Sequence, residues 1–132
     1  IIFWRKEYSP DSGGVGKNRG GLGQVIEIES AIEADLELLA AFDRIEYPPR
    51  GRAGGGNGRS GSVSLASGAM LRGKGAQSIK KGERLIITTP GGAGYGSPEE
   101  REPDLIESDL RSGLVSRRSA EDDYGFAIKE NG

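Results

Sequence analysis

Residues 10–23 read PDSGGVGKNRGGLG, and six of the eleven positions from Gly13 to Gly23 are glycine. Because glycine offers no side chain to bury and loses much backbone entropy on folding, such a run does not form a regular helix or strand. It is ordered where the chain turns tightly or where two backbones lie close together. We therefore predict a rigid elbow between strands, in which the Asp11 carboxylate ties the turn and Arg19 pairs with Asp11. The alternative is a loop that faces a substrate or another subunit.

Glycine is also concentrated in two later loops, 54–58 and 91–96, which hold four glycines each. The whole chain has 132 residues with 23 Gly, no Cys and no His. Without Cys there is no disulfide and no thiolate metal site, and without His the commonest metal ligand and general base are missing. We therefore expect one domain that binds no metal itself.

The composition argues against nucleic acids and membranes as partners. The net charge is −2 and the pI about 5.3, with eight scattered aromatic residues, which is not the pattern of a nucleic-acid-binding domain. No apolar run approaches the roughly 20 residues that span a membrane. We therefore expect a cytoplasmic protein that binds neither nucleic acid nor membrane.

Charge is distributed unevenly along the chain. Residues 1–43 carry a net charge of −4, residues 44–84 carry +7 and residues 85–132 carry −5. In the simplest interpretation the basic centre neutralises the acidic ends in the fold. The alternative is that residues 44–84, together with the glycine loops, bind an anion or a nucleotide, since glycine-rich backbone can present N–H groups to anions.

Alternating apolar and polar residues predict short strands over residues 2–8, 24–29 and 85–89, and residues 63–72 predict a hairpin that turns at Ser67-Gly68. Residues 32–43 are ambiguous, because their apolar positions fit a period of two and also a helical face. We favour a strand there. Residues 1–102 are therefore predicted to be an antiparallel β-sandwich or barrel.

Two short helices are predicted in residues 103–125. Pro103 suits the first position of a helix whose apolar stripe contains Leu105, Ile106 and Leu110. A glycine at 113 then ends that helix. Ser116 is placed to cap a second helix. The predicted fold class is thus mainly β, with two short C-terminal α-helices.

A family resemblance rests on four segments in a fixed order. These are the glycine run, then Thr89–Arg101 (TPGGAGYGSPEER), then Asp109–Ser116 (DLRSGLVS), and then the dipeptide Tyr124-Gly125. Together they resemble the C-terminal part of the hydantoinase B/oxoprolinase family. The resemblance implies that residues 1–132 are a single C-terminal domain of a longer subunit.

The resemblance also implies a reaction for the parent protein. Members of this family open cyclic amides such as hydantoin or 5-oxoproline with ATP, and related enzymes carboxylate a ketone. A B-type subunit works with an A-type subunit that binds ATP, so ATP and a divalent metal are implied for the whole complex and not for this fragment. Since the fragment has no His, we expect it to serve as scaffold and subunit contact and to be catalytically silent alone.

Four residues are candidates for loop-fixing or contact roles. Asp11 and Arg19 are expected to fix the first glycine loop, and Arg101 to anchor the loop that contains residues 91–96. Tyr95 is expected to project from that same loop toward a substrate or a neighbouring subunit. No residue of the fragment is predicted to be catalytic.

Overall fold

The structure is a computed structural model that describes residues 1–130. A 3-10 turn at Pro98–Glu100 and two helices, α1 (Pro103–Arg111) and α2 (Arg117–Asp122), follow the strands. Among the described residues, no helix is both long and apolar enough to cross a membrane. The strands are β1 (Ile2–Tyr8), β2 (Gln24–Glu29), β3 (Leu36–Ala41), β4 (Ser62–Leu65), β5 (Lys74–Ile79) and β6 (Leu85–Thr88).

The strands form two antiparallel sheets. Four of them are ordered β1-β2-β6-β4, and β3 pairs with β5 in a separate two-stranded sheet. The mainly β prediction with two short helices is therefore confirmed. Of the two predicted architectures the barrel is wrong, because the strands of residues 1–130 do not close into one.

One apolar core joins the two sheets. Val63 of β4, Ile79 of β5 and Leu85 of β6 are almost completely buried and contact one another. Partly buried residues of both sheets, Ile28 and Leu36 among them, pack around this trio. Burial of each such side chain stabilises the fold by about 1.5–3 kcal/mol, so this core fixes how the sheets sit on each other.

The ambiguous segment 32–43 contains a strand, as favoured from the sequence. Leu36, Leu38 and Ala40 alternate inward along β3, and Leu39 points outward with 81% of its surface exposed. The strand spans only Leu36–Ala41, since residues 31–34 form bends before it and residues 42–43 lie beyond its end. The period of two therefore predicts the element correctly, but the predicted bounds 32–43 are too wide at both ends.

The hairpin prediction for residues 63–72 is correct at its turn. Gly68 has a φ of 97°, and the Leu65 amide donates to the Ala69 carbonyl at 2.8 Å. The returning arm makes only one isolated bridge, between Ser64 and Met70. Strand β5, which follows, was not predicted: its sequence KGAQSI carries a glycine and little apolar alternation, and its pairing with β3 determines its conformation.

The two helices form a second, smaller core. Ile106, Val115, Ala120 and Tyr124 are buried together, and Val15 of the first glycine loop packs against them. Leu105, which was expected in the apolar stripe of α1, is 48% exposed, so that part of the prediction is wrong. This core places the C-terminal helices on the glycine loops and not on the sheets.

Both helix boundaries follow local chemistry. Pro103 occupies the first turn of α1, and Gly113 ends that helix with a φ of 69°. The Ser116 hydroxyl accepts a hydrogen bond from the Ser119 amide at 3.1 Å, which is the predicted cap of α2. A serine cap of this kind is typically worth about 1 kcal/mol.

Candidate functional site

The three glycine-rich loops lie side by side and form one structure, which we call the glycine bundle (residues 12–23, 51–59 and 90–96). The Gly14 amide donates to the Gly92 carbonyl at 2.8 Å, the Gly56 amide to Val15 at 2.7 Å, and the Gly94 amide back to Gly56 at 2.9 Å. Each loop therefore binds both of the others through its backbone. The three loops pair with one another, but they belong to neither of the two sheets.

Close backbone approach explains why the bundle is built from glycine. A Cβ at Gly14 would stand closer than 3.0 Å to the Gly56 carbonyl oxygen, and one at Gly20 would do the same to the Gly92 carbonyl oxygen. Neither glycine has a positive φ, so proximity and not an unusual backbone angle excludes a side chain here. The predicted rigid elbow is thus part of a three-loop assembly.

One end of the bundle carries an exposed tyrosine. The Asn18 and Tyr95 backbones exchange two hydrogen bonds of 2.9 Å, and the Gly96 amide donates to the Arg52 carbonyl at 3.0 Å. The Tyr95 side chain is 57% exposed. We call Asn18, Arg52 and Tyr95 the Tyr95 tip, because one residue from each loop contributes to it.

A buried ion cluster joins the bundle to α1. Both Asp109 carboxylate oxygens accept hydrogen bonds from Arg19, at 2.9 Å from Nε and 3.0 Å from Nη2, and Arg101 Nη2 donates to the same carboxylate at 2.9 Å. The three side chains are only 8–15% exposed. We call Arg19, Arg101 and Asp109 the Asp109 cluster.

Electrostatics keep the Asp109 carboxylate ionised. Burial alone raises its pKa, but the hydrogen bonds and positive charges of Arg19 and Arg101 together outweigh that effect, so the pKa lies below its ordinary value. The same two arginines also fix the loop. Arg19 Nη1 donates to the Gly20 carbonyl at 2.8 Å, and Arg101 Nη1 donates to the Lys17 carbonyl at 3.2 Å.

Tyr124, two residues beyond the end of α2, lies beside this cluster. Its ring is 6.0 Å from the Arg101 guanidinium carbon, and its side chain is buried. Burial raises the pKa of the Tyr124 hydroxyl. The hydroxyl and the Arg101 Nε have no hydrogen-bond partner among the described residues.

Asp11 fixes the first loop, but not through Arg19. Its carboxylate accepts a hydrogen bond from the Ser116 amide at 2.7 Å, and its own amide donates to the Leu114 carbonyl at 3.1 Å. Asp11 has a φ of 59°, so the chain turns sharply at this residue. The predicted Asp11–Arg19 pair is therefore wrong, because each side chain reaches a different part of the C-terminal region.

The other predicted residues divide into interior and surface positions. Arg101 was expected to anchor the loop that contains residues 91–96, yet its side chain binds the Lys17 carbonyl of the first loop and the Asp109 carboxylate. Arg19, Arg101 and Asp11 thus tie loops to helices, and Tyr95 alone faces outward. Its role toward a neighbour stays a prediction.

Asp109 was missed from the sequence. It lies three residues after Ile106 and one before Leu110, so it interrupts the apolar side of α1 with a charge. An acidic residue in that place indicates a buried carboxylate that is paired with a partner from elsewhere in the fold. Ser12 was also missed: its hydroxyl accepts from the Gly23 amide at 2.8 Å and donates to the Ser9 carbonyl at 2.6 Å.

The basic segment 44–84 does not form one uniform charged surface. Four of its nine basic residues pair with acidic residues of other segments, whereas Arg44, Arg50, Arg52, Arg59 and Arg72 form no ion pair with another described residue. The neutralising interpretation therefore holds for four of the five basic residues in the second half of the segment. The pairs are Lys74–Asp43 (2.7 Å), Lys80–Asp35 (2.9 Å), Lys81–Glu33 (2.9 Å) and Arg84–Glu27 (3.2 Å).

A polar cleft of about 410 Å³ is lined by residues of the bundle and of the α2 region. Its lining carries both signs of charge, with Arg59 and Arg118 as the positive groups and Asp11, Asp122 and Asp123 as the negative ones. Within residues 1–130, no three His, Cys, Asp or Glu side chains gather in a group that could hold a metal ion.

Comparison with known proteins identifies similar chains. The family model of hydantoinase B/oxoprolinase matches residues 1–98. An uncharacterized protein of Methanocaldococcus jannaschii is 39% identical over 127 residues, which cover 92% of this chain and 22% of that protein. The B-type component of a putative D-/L-hydantoinase from Pseudomonas sp. strain NS671 is 30% identical over 136 residues, which cover 96% of this chain and 22% of that protein.

A solved structure has the same fold. The crystal structure of ATP-dependent caprolactamase from Pseudomonas jessenii matches 98% of this chain with a TM-score of 0.79 and 29% sequence identity, over 24% of the caprolactamase chain. The chain therefore spans less than a quarter of the length of these three relatives. Since the family model covers well over half of its residues, the chain belongs to the hydantoinase B/oxoprolinase family.

Proposed function

We propose that this chain is the C-terminal scaffold and contact region of a B-type subunit in an ATP-dependent enzyme that opens a cyclic amide. The observation that carries the proposal is the glycine bundle, whose three loops hold one another through their backbones and expose a single tyrosine at the Tyr95 tip. Family membership supplies the reaction class, because its relatives include a putative hydantoinase and an ATP-dependent caprolactamase.

The chemistry is assigned to the rest of the complex. ATP-dependent ring opening converts the amide carbonyl oxygen into a phosphate leaving group, and the ATP-binding A-type subunit is the proposed partner for that step. The described residues offer no group of ligands that fits a divalent metal, so no step of the proposal runs through a metal in this chain. Such a complex is expected in the cytoplasm, where ATP is available.

The Tyr95 tip is the proposed contact with the neighbouring subunit. Tyr and Arg are enriched among the residues that dominate binding energy at protein interfaces. Tyr95 and Arg52 are exposed and stand on backbone that is already fixed by hydrogen bonds, so little backbone freedom is lost when they bind. A rigid platform of this kind suits a permanent contact better than a mobile lid.

The experiment compares the 132-residue chain with the complete complex. Each is assayed for ATP-dependent opening of hydantoin, 5-oxoproline and caprolactam, and for ATP-dependent carboxylation of acetone as the second reaction that the resemblance implies. The proposal predicts turnover by the complete complex and none by the chain alone. Comparable turnover by the isolated chain would contradict the silent role.

Anion binding is the second candidate, and one observation favours it. Arg52 and Arg59 on the second glycine loop, and Arg50 just before it, are exposed and form no ion pair with the other described residues. Titration of the chain with ATP or inorganic phosphate by calorimetry tests this role. Heat that saturates at micromolar to millimolar ligand would favour it, and no heat at millimolar ligand would leave the contact role.

A further inference from the structure

Strand β1 exposes apolar side chains on both of its faces. All seven of its residues are exposed, including Phe3 (63%), Trp4 (51%) and Tyr8 (60%). The next strand in the sheet, β2, is partly buried along its whole length. Isolated exposed apolar residues are ordinary on a protein surface, but several along one strand indicate a surface that is covered in the functional assembly.

The pairing of β1 with β2 assigns its residues to the two faces of the sheet. Phe3 lies opposite Ile28, which packs on the core that joins the sheets, and Arg5 lies opposite Glu27, which faces the other way. Directly opposed residues of antiparallel strands share a face. Phe3 therefore continues the core face of the sheet, at a place where the second sheet does not cover it.

Tyr8 lies on the same face of the sheet. It pairs with Gln24, which lies four residues before Ile28 on β2, and residues an even number of positions apart in a strand point to the same face. Trp4 belongs to the opposite face. It sits at an irregularity in the register, where its indole Nε1 donates to Glu29 at 2.7 Å and the Arg84 guanidinium lies 3.9 Å from its ring centroid. Trp4 thus has partners of its own, and Phe3 and Tyr8 stay uncovered.

β1 is also the edge strand of its sheet. The strand order β1-β2-β6-β4 leaves one side of its backbone without a neighbour. Such an edge presents unpaired N–H and C=O groups and is a template for a further strand. The uncovered face and the unpaired edge lie on the same strand.

We propose that a strand from another part of the same subunit pairs with the outer edge of β1, and that the layer it belongs to covers Phe3 and Tyr8. The inference rests on the proposed function, in which this chain is part of a longer B-type subunit. The relatives supply the source of the strand, because more than three quarters of their length lies outside the matched region.

A second copy of this chain is a poorer occupant of the edge. If two β1 strands paired antiparallel along their full length, Arg5 would face Arg5 of the other copy at the centre of Ile2–Tyr8. Like charges directly opposite each other destabilise a strand pair. Registers that avoid this contact shorten the paired segment.

Amide hydrogen exchange tests the inference without any variant. The exchange rates of Ile2–Tyr8 are measured in the 132-residue chain and in the complete subunit, both without ATP or substrate. In the chain alone, alternate β1 amides point to solvent and are expected to exchange fast. In the complete subunit the same amides are expected to exchange roughly 100-fold more slowly. Equal rates in both proteins would overturn the inference.

A variant with a matched control separates pairing from general surface effects. Phe3→Lys is expected to lower the melting temperature of the complete subunit and to leave that of the 132-residue chain unchanged. Ile32→Lys, at a residue that is 72% exposed outside any strand, is the control.

Because neither the exchange measurement nor the melting temperature involves catalysis, an inactive complex with protected β1 amides would contradict only the proposed function. An active complex with unprotected β1 amides would contradict only this inference.

Discussion

At the scale of single residues, Asp109 is the side chain on which the C-terminal region depends most. It accepts hydrogen bonds from Arg19, which lies 90 positions earlier in the chain, and from Arg101. The cluster contains two positive charges and one negative charge with little access to water. Removal of the carboxylate therefore leaves two buried arginines without a negative charge between them. The free energy of unfolding lost in this way is larger than the amount that the ion pairs themselves contribute to stability.

Asp109→Asn is expected to lower the free energy of unfolding by about 3 kcal/mol, because it leaves both arginines without a charged partner. Urea unfolding measures this loss. Glu107→Gln is the matched control on the same helix, since Glu107 is exposed and its contact with Arg111 is long, at 3.5 Å. The control is expected to change stability by less than about 0.5 kcal/mol. A similar small effect for both variants would show that the cluster does not stabilise the fold.

Stability should also fall in acid through Asp109. Its pKa is lower in the folded chain than the ordinary value of about 3.9, so the folded state binds fewer protons than the unfolded state in this range. The stabilisation is complete above about pH 4 and is lost as the pH falls through the folded pKa. The stability difference between the unaltered chain and Asp109→Asn should therefore be steady from about pH 6 to about pH 5 and shrink as the pH falls below about 4. A difference that stays constant below about pH 4 would contradict the ionised assignment.

At the scale of elements, the glycine bundle differs from ordinary loops because its glycines face backbone and not solvent. Neighbouring positions in one loop differ sharply in this respect. A Cβ at Gly20 would collide with the Gly92 carbonyl oxygen, whereas a Cβ at Gly21 would have no atom within 4 Å. Two adjacent residues of the same type thus provide a test and its control.

Gly20→Ala is expected to lower the free energy of unfolding by about 3 kcal/mol, because the added methyl group forces the first and third loops apart. Gly21→Ala is expected to stay within about 0.5 kcal/mol of the unaltered chain. Chemical denaturation of the two variants gives both values. Equal losses would mean that flexibility, and not close approach, is what these glycines provide.

The elements also show what the sequence could and could not predict. Periodicity and cap residues identified most of the strands and both helices, because those signals are local. Strand β5 was missed, since it depends on β3 for its pairing, and the Arg19–Asp109 contact was missed because nothing local links residues so far apart. The glycine run was recognised as an elbow, but its packing against two other loops is a tertiary property.

At the scale of the whole molecule, two cores carry different tasks. The sheet core fixes strands whose outer edge, β1, is proposed to join the rest of the subunit, and the helix core together with the Asp109 cluster fixes the glycine bundle. The bundle in turn holds the Tyr95 tip at the surface. Under the proposed function, the chain is a scaffold with two contacts, one within its subunit and one toward a partner.

The most direct test of this account is the affinity between the B-type and A-type subunits when Tyr95→Ala is introduced into the complete B-type subunit, measured by calorimetry beside kcat. Tyr47→Ala, at a tyrosine that is 71% exposed elsewhere, serves as the control. The account predicts that Tyr95→Ala weakens association about tenfold or more, equivalent to about 1.4 kcal/mol, while kcat of the assembled complex and the control stay unchanged. Unchanged affinity with a collapsed kcat would contradict it, because Tyr95 would then act in the chemistry and not in the contact.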